Sequence, residues 1–211
     1  MMPAAPAVPP APTVAQKTRL ITLVMAIDLI IALFLLDQAS KWYVLEHIIA
    51  PMTTDTPLPP MGFFDWLMAL SLPRLPFAEL IVLPFFNLVM VWNEGISFGV
   101  FGGHNGAGNI ALISVLLAIV IGFTIWMWRT PSVFLRFTLA AVIGGAIGNL
   151  WDRVRFGAVA DFLDFHYAGW HYPAFNVADS CIVVGILALV VYELICGGGK
   201  SRTPSLTEKV S

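Results

Sequence analysis

The sequence has 211 residues, of which 58% are hydrophobic and only 11% are charged, whereas a soluble domain carries roughly 25% charged residues. This composition excludes an ordinary soluble globular protein and predicts a chain that resides mainly in lipid. The formal net charge of −2, without a cluster of Lys and Arg, excludes a basic nucleic-acid-binding protein.

The first sixteen residues, 1–16, consist mostly of Ala, Pro and Val, with five prolines among the first twelve. Proline fixes φ and has no amide hydrogen, so we expect a disordered cytoplasmic tail. The segment lacks the basic start and unbroken apolar core of a cleavable signal peptide. A second tail is expected at 199–211, which leaves 17–198 as a transmembrane domain of four helices.

Four apolar runs are long enough to cross a membrane, which takes roughly 20 mostly apolar residues. They are Leu20–Leu36, Ile110–Trp128, Phe134–Trp151 and Val177–Cys196. With a cytoplasmic N-terminus, seven Lys and Arg residues lie inside and four lie outside. Because cytoplasmic loops carry an excess of basic residues, both termini are predicted to be cytoplasmic and loops 42–109 and 152–176 extracytoplasmic.

The first outer loop, 42–109, contains two predicted elements. Met61–Leu72 is apolar and aromatic but reaches only about 18 Å as a helix, so it predicts an interfacial helix and a movable wall beside a cleft. Phe85–Trp92 is rich in aromatic and branched residues, which predicts a strand. The fold class is therefore an all-α membrane protein with four transmembrane helices, a small extracytoplasmic β element and an interfacial helix.

Polar side chains within or beside spanning helices are costly, so each needs a structural or functional reason. Asp37 and Lys41 are four residues apart at the outer end of the first helix and are predicted to pair. Asn149, Asp152 and Arg153 share one face at the outer end of the third helix. An ion pair and a capping charge would explain these groups structurally, and a supporting role beside an active site would explain them functionally.

Further polar residues stand in the outer loops. Asn93 precedes a glycine-rich turn, Asp161 lies between apolar residues, and Asn176 with Asp179 forms a predicted cap at the start of the fourth helix. Two carboxylates held close together share a proton, and one pKa rises. Asp161 and Asp179 could therefore act as acid and base, with the helix N-terminus favouring an ionised Asp179.

The remaining titratable residues of the second outer loop are interpreted as structural. Asp164 is expected to be solvated, and His166 and His171 are interpreted as loop residues beside aromatics at the membrane interface. No Ser/His pair, Cys/His pair or metal-ligand spacing competes with the two aspartates. We therefore expect neither a metal nor a cofactor.

These segments, in this order, resemble the lipoprotein signal peptidases (signal peptidase II) of bacteria, from about Leu20 to Cys196. The most specific block is Gly144–Arg153, continuing through Gly157, Val159, Asp161 and Phe162. Phe175–Ser180 is nearly as specific. The Asp-Gln-x-Ser-Lys segment at Asp37 and the Asn-x-Gly segment at Asn93 agree by position.

The resemblance implies an aspartic endopeptidase of the bacterial cytoplasmic (inner) membrane, with its active site at the extracytoplasmic face. It would remove signal peptides from diacylglyceryl-modified prolipoproteins immediately before the lipidated cysteine, in contact with membrane lipids, and would be inhibited by globomycin-type cyclic peptides. The family's motifs make Asp161 and Asp179 the catalytic pair. The implied substrate-binding or site-ordering residues are Asn93, Asn149, Arg153 and Asn176, and the implied supporting residues are Asp37, Lys41 and Asp152.

The sequence departs from the family's pattern in three places. The first outer loop is longer around Ile49–Leu80, Ser97 stands where the family usually has Ala, and Asp28 lies mid-way along the first helix. A transporter or proton relay would use Asp28, Asp37 and Asp179 as pathway residues, but only Asp28 is deep in the bilayer. A structural scaffold would leave the concentration of polar residues at one surface unexplained.

Overall fold

A computed structural model describes the protein over residues 13–55, 58–95 and 107–196. Its first helix is followed without a break by a π-helical segment, Tyr43–Ile49, and by the second helix. The helices are α1 (Val14–Trp42), α2 (Ala50–Thr53), α3 (Phe63–Met68), α4 (Ala107–Arg129), α5 (Val133–Phe156) and α6 (Val177–Cys196). The strands are β1 (Glu79–Leu83), β2 (Phe86–Asn93), β3 (Val159–Tyr167) and β4 (Trp170–His171).

Within the described residues, four helices are long and apolar enough to cross a membrane, as the sequence predicts. They comprise the continuous helix Val14–Thr53, Gly108–Arg129, Val133–Phe156 and Val177–Cys196. The disordered tail predicted at 1–16 extends too far, because residues 14–16 belong to a helix that begins at Val14 and is capped by Thr13. Residues 1–12 and the predicted tail at 199–211 lie outside the described residues, as does Ser97.

Helix α5 is the centre of the bundle and packs against α1, α4 and α6. Its glycines make this close approach possible. A Cβ on Gly144 would lie 3.1 Å from the Leu33 Cβ of α1 and 3.2 Å from the Ile30 carbonyl oxygen, and one on Gly148 would lie 3.3 Å from the Ala178 Cβ of α6. Small residues therefore bring the outer ends of α1, α5 and α6 together.

The strands form an antiparallel sheet in the order β1-β2-β3-β4 at the ends of these helices. The predicted strand Phe85–Trp92 is confirmed as β2, one residue further along. Strand β3 follows α5 through Gly157, whose φ of +70° ends the helix in the left-handed conformation. The register places Val91 of β2 opposite Asp161 of β3 and Asn93 opposite Val159, so the end of β2 lies beside the first candidate carboxylate.

The predicted interfacial helix is shorter than expected and is held in place. Only Phe63–Met68 is helical, and Trp66 is 1% exposed within the apolar core beneath the sheet. The Arg155 side chain donates to the Trp66 and Ala69 carbonyl oxygens at 2.5 and 3.0 Å, and the Trp151 indole donates to the Leu67 carbonyl at 3.2 Å. The interfacial position expected for Trp66 is therefore corrected, because its ring is buried in this core. Movement of this segment beside the cleft stays a prediction.

Candidate active site

A single residue, Asn176, links the two candidate aspartates. Its side-chain Nδ2 donates to Asp161 Oδ1 at 2.7 Å, and its backbone amide donates to Asp179 Oδ2 at 3.2 Å. The Asn176 Oδ1 in turn accepts from the Asp179 amide at 3.0 Å, which is the capping arrangement that the sequence predicts at the start of α6. The structure thus brings Asp161 and Asp179 together across 18 residues of sequence.

Asp161 lies on β3 and is only 2% exposed. Burial, together with the nearby negative charge of Asp179, raises its pKa to about 7, against the lowering effects of hydrogen bonds from Asn93 and Asn176 and of the Lys41 charge. The Asn93 Nδ2 donates to its Oδ2 at 3.0 Å. Asp161 can therefore hold a proton at neutral pH.

Asp179 occupies the first turn of α6 and is half-buried. It accepts a hydrogen bond of 2.7 Å from the Asn149 side-chain amide and one from the Asn176 backbone. Its place at the start of the helix and these two donors distinguish its surroundings from the buried site of Asp161 on β3.

Asn149, on α5, connects the pair to the buried charges of α1. Its Oδ1 accepts from the Asn176 Nδ2 at 3.2 Å and lies 3.4 Å from Lys41 Nζ. Because its oxygen faces these donors, its amide nitrogen is directed to Asp179. Asn149 therefore fixes the orientation of the Asp179 carboxylate, and its contact with substrate stays a prediction.

Asp37, Lys41 and Asp152 form a fully buried ionic cluster, each 0% exposed. The Lys41 Nζ lies 2.8 Å from Asp37 Oδ2 and 2.7 Å from Asp152 Oδ2. The predicted Asp37–Lys41 pair is thus present, with Asp152 as a second partner.

This cluster also anchors the backbone next to each aspartate. Asp37 Oδ1 accepts from the Ala178 amide at 2.9 Å, and Asp152 Oδ2 accepts from the Ala160 amide at 3.3 Å. Ala178 precedes Asp179 and Ala160 precedes Asp161. The supporting cluster therefore fixes the positions from which both carboxylates project.

Arg153 is near the pair without bonding to it. Its positive charge interacts with the charges of Asp161, Asp152 and Asp179, while its buried Nη1 has no hydrogen-bond partner among the described residues.

Asn93, the predicted site residue at the end of β2, bonds to Asp161 and accepts from the Gly95 amide at 2.9 Å. All nine predicted site residues therefore meet in one region.

Two supporting residues, Gln38 and Arg155, were not predicted from the sequence, and the surroundings of three other residues differ from those expected. Gln38 donates to Asp152 Oδ1 at 2.9 Å, and Arg155 donates to the Gln38 Oε1 at 3.1 Å. Gln38 is adjacent to Asp37, and Arg155 is two residues after Arg153. The spacing of neither residue indicates a supporting role. Asp164 is 5% exposed rather than solvated, and His166 and His171 belong to strands rather than to a loop.

A cavity of about 620 Å³ opens beside Asp179. Its lining is almost entirely apolar and aromatic, from the sheet on one side and from α6 on the other. The lining includes Tyr167, Trp170, Tyr172, Val183 and Val184. In the described part of the chain, no group of three or more His, Cys, Asp or Glu could hold a metal ion.

These features define a multi-pass membrane protein with a pair of carboxylates, one buried and one half-buried, beside an apolar cavity. A family model described as Signal peptidase (SPase) II matches residues 29–195. The lipoprotein signal peptidase of Pelagibacter ubique is 30% identical over 187 residues, which cover 89% of this chain and 98% of that protein. The chain therefore belongs to the signal peptidase II family, and the resemblance seen in the sequence is confirmed.

Two further comparisons agree. The lipoprotein signal peptidase of Methylobacterium radiotolerans is 43% identical over 119 residues, 56% of this chain and 70% of that protein. A solved bacterial membrane enzyme superposes with a TM-score of 0.60 at 20% identity, covering 89% of this chain and 94% of that chain. The latter likeness shows the fold alone. The protein is thus a membrane peptidase with the predicted four-helix architecture.

Proposed function

We propose that this peptidase acts by an aspartic mechanism, with Asp161 and Asp179 as the catalytic pair, on diacylglyceryl-modified prolipoproteins. Its family removes signal peptides from prolipoproteins. The observation that carries the aspartic mechanism is the placement of two carboxylates on one asparagine, with the pKa of Asp161 raised to about 7. One carboxylate can then be protonated while the other is ionised.

In the proposed reaction, Asp179 takes a proton from a water molecule whose oxygen attacks the scissile carbonyl carbon. Asp161 first donates a hydrogen bond to the carbonyl oxygen and then transfers its proton to the leaving nitrogen as the C–N bond breaks. The water supplies one oxygen of the new carboxyl group, whose remaining proton passes to the released amine. The proton held by Asp179 passes to Asp161, which restores the starting state of the pair. Lys41 and Asn149 keep the pair in place throughout.

The remaining polar groups near the pair are suited to holding the peptide. Arg153 Nη1 is a buried donor without a partner among the described residues, and buried donors in proteins are normally satisfied. A substrate carbonyl oxygen could accept from it. Asn93, at the end of β2, would order Asp161 and meet the peptide backbone. Globomycin-type peptides would compete for these same donors.

The orientation follows from the basic residues. Seven of the eleven Lys and Arg residues fall on the side of the two termini, which supports cytoplasmic termini and an extracytoplasmic active site in the bacterial cytoplasmic membrane. A reporter fused after Lys200 should read cytoplasmic, and one inserted near Asp55 should read extracytoplasmic. The opposite result at either position would place the aspartates on the wrong face.

The proposed function is tested by a gel-shift assay on a lipidated precursor with the purified protein in detergent. We expect the precursor to lose its signal peptide, with the new N-terminus at the lipidated cysteine by mass spectrometry. The matched control is the same precursor with Ser in place of that cysteine, which cannot be lipidated and should stay intact. Equal cleavage of both precursors would show that the enzyme does not require the lipid on its substrate.

The same assay has an expected pH profile. Because the pKa of Asp161 in the substrate-free protein is raised to about 7, its proton is lost as the pH rises through 7, and kcat/KM should fall on that side. Folded Asp161 also holds a proton that the unfolded carboxyl, with a pKa of about 3.9, has lost. The free energy of unfolding should therefore decrease between about pH 4 and 7, and Asp161→Asn should lack that contribution. A kcat/KM that keeps rising to pH 9 would contradict the assignment.

A further inference from the structure

A second polar cluster lies on the sheet, outside the catalytic machinery. Asp164, 5% exposed, has its two carboxylate oxygens 3.0 and 2.9 Å from His171 Nδ1. Since a carboxylate only accepts, the histidine donates from Nδ1. Asn87, 2% exposed, donates to Asp164 Oδ2 at 3.1 Å and to Glu79 Oε1 at 2.7 Å. The cluster therefore spans β1, β2, β3 and β4.

The strand that this cluster holds has little else to fix it. Strand β4 contains only Trp170 and His171, which pair with Tyr167 and His166 of β3. The turn between them places Ala168 and Gly169 at φ of 49° and 79°, a conformation that is unfavourable for alanine. A ladder of two residue pairs is weak by itself, and one further backbone bond, from the Tyr172 amide to the Phe165 carbonyl at 2.8 Å, extends it. The part-buried Asp164–His171 contact and the stacking of His166 on His171 at 4.8 Å therefore add side-chain restraints that this short ladder needs.

This small hairpin, residues 165–172, is one wall of the cavity beside Asp179. Tyr167, Trp170 and Tyr172 line the cavity from the hairpin, and Val183 and Val184 line it from α6. Tyr167 and Trp170 are 81% and 65% exposed, so side chains outside the hairpin do not hold them in position. The hydrogen bond between His171 and Asp164 holds the backbone of the hairpin. The distance of this wall from Asp179 therefore depends on that hydrogen bond.

We propose that Asp164, His171 and Asn87 form a positioning clasp that holds this aromatic hairpin over the cavity and thereby sets how tightly the enzyme binds the apolar part of its substrate. The inference rests on the proposed function, in which that part is a hydrocarbon chain joined to the cysteine beside the scissile bond. The apolar lining, continuous with the exposed Val183 and Val184 of a spanning helix, suits such a chain entering from the bilayer. The side-chain hydrogen bonds of the clasp run between its own members and to neighbouring strand residues, so the clasp is separate from the catalytic pair.

The test is a set of variants assayed on the lipidated precursor. His171→Ala should raise KM about tenfold, the expected loss for a hydrogen bond to a charged group, and should leave kcat unchanged because the aspartates are untouched. His171→Asn should restore most of the binding, since its amide nitrogen can take the place of Nδ1. The double variant Asp164→Ala with His171→Ala should bind no more weakly than Asp164→Ala alone, because both changes break the same contact.

His47→Ala is the matched control, since His47 is another histidine of the outer region, stacked on Tyr43 and away from the cavity, and it should keep the parental KM. Hydrogen exchange gives an independent readout: His171→Ala should speed exchange in residues 162–176 and leave α5 unchanged. A fall in kcat at constant KM, or parental exchange in His171→Ala, would overturn the clasp. If the parent failed to cleave any lipidated precursor, the proposed function would fail, whereas the exchange result would still decide the clasp.

Discussion

Asp161→Asn and Asp179→Asn should each lower cleavage of a lipidated precursor by about 10²–10⁴-fold, the usual contribution of a positioned acid or base. Asparagine keeps the size of the side chain but can neither deliver the Asp161 proton nor accept one from water at Asp179. Because the two residues act as a unit, the double variant should be no slower than the worse single variant. Single-turnover rates on purified protein measure this effect.

The control for both changes is Asp28→Asn. Asp28 is exposed on α1, deep in the span and away from the site, so the variant should cleave at the parental rate. Near-normal turnover in either Asp161→Asn or Asp179→Asn would remove that residue from the mechanism. A large loss in Asp28→Asn would instead favour the proton-relay interpretation, in which acidic residues form a path across the bilayer.

Lys41→Met should be the most destabilising single change in the chain, by about 3–5 kcal/mol, the usual effect of removing one partner from a buried ion pair. The substitution leaves Asp37 and Asp152 facing each other, both 0% exposed, without the cation between them. Thermal unfolding in detergent and the amount of protein in the membrane measure this loss. Activity should fall with it, since Asp37 and Asp152 hold the backbone beside both catalytic aspartates.

Two further variants make the Lys41 result specific. Lys17→Met, on the exposed first turns of the same helix, should leave stability unchanged. Adding Asp37→Asn and Asp152→Asn to Lys41→Met removes every charge of the cluster, so part of the lost stability should return. If Lys41→Met alone unfolds at the parental temperature, the cluster does not support the site.

Hydropathy, charge and motif spacing were sufficient to predict the spanning helices, one strand and a helix cap. A spanning helix needs roughly 20 mostly apolar residues, so α4, α5 and α6 can be predicted from apolar runs in the sequence. Strand β2 was predicted from its aromatic and branched composition. The cap at the start of α6 was predicted because Asn176 and Asp179 are three residues apart. These features are local, because each depends on residues within one element.

Other features were decided only by packing between distant segments. Asp37 accepts from an amide 141 positions away, and Arg155 bonds to a carbonyl 89 positions away. Trp66 lies in the segment predicted as an interfacial helix and is instead a core residue, because Arg155 and Phe156 cover its ring. Asp164 was predicted to be solvated and is buried by strands that lie far apart in the chain.

The carboxylate pair shows where this division falls. Sequence alone identified which two aspartates were candidates and predicted that both lie at one membrane surface. Only the tertiary structure decided that Asn176 bonds to both aspartates and that burial raises the pKa of Asp161. It also decided that the two partners of Lys41 hold the backbone next to each aspartate. The physical reason is that desolvation and hydrogen-bond geometry depend on the surroundings in three dimensions, which no run of neighbouring residues encodes.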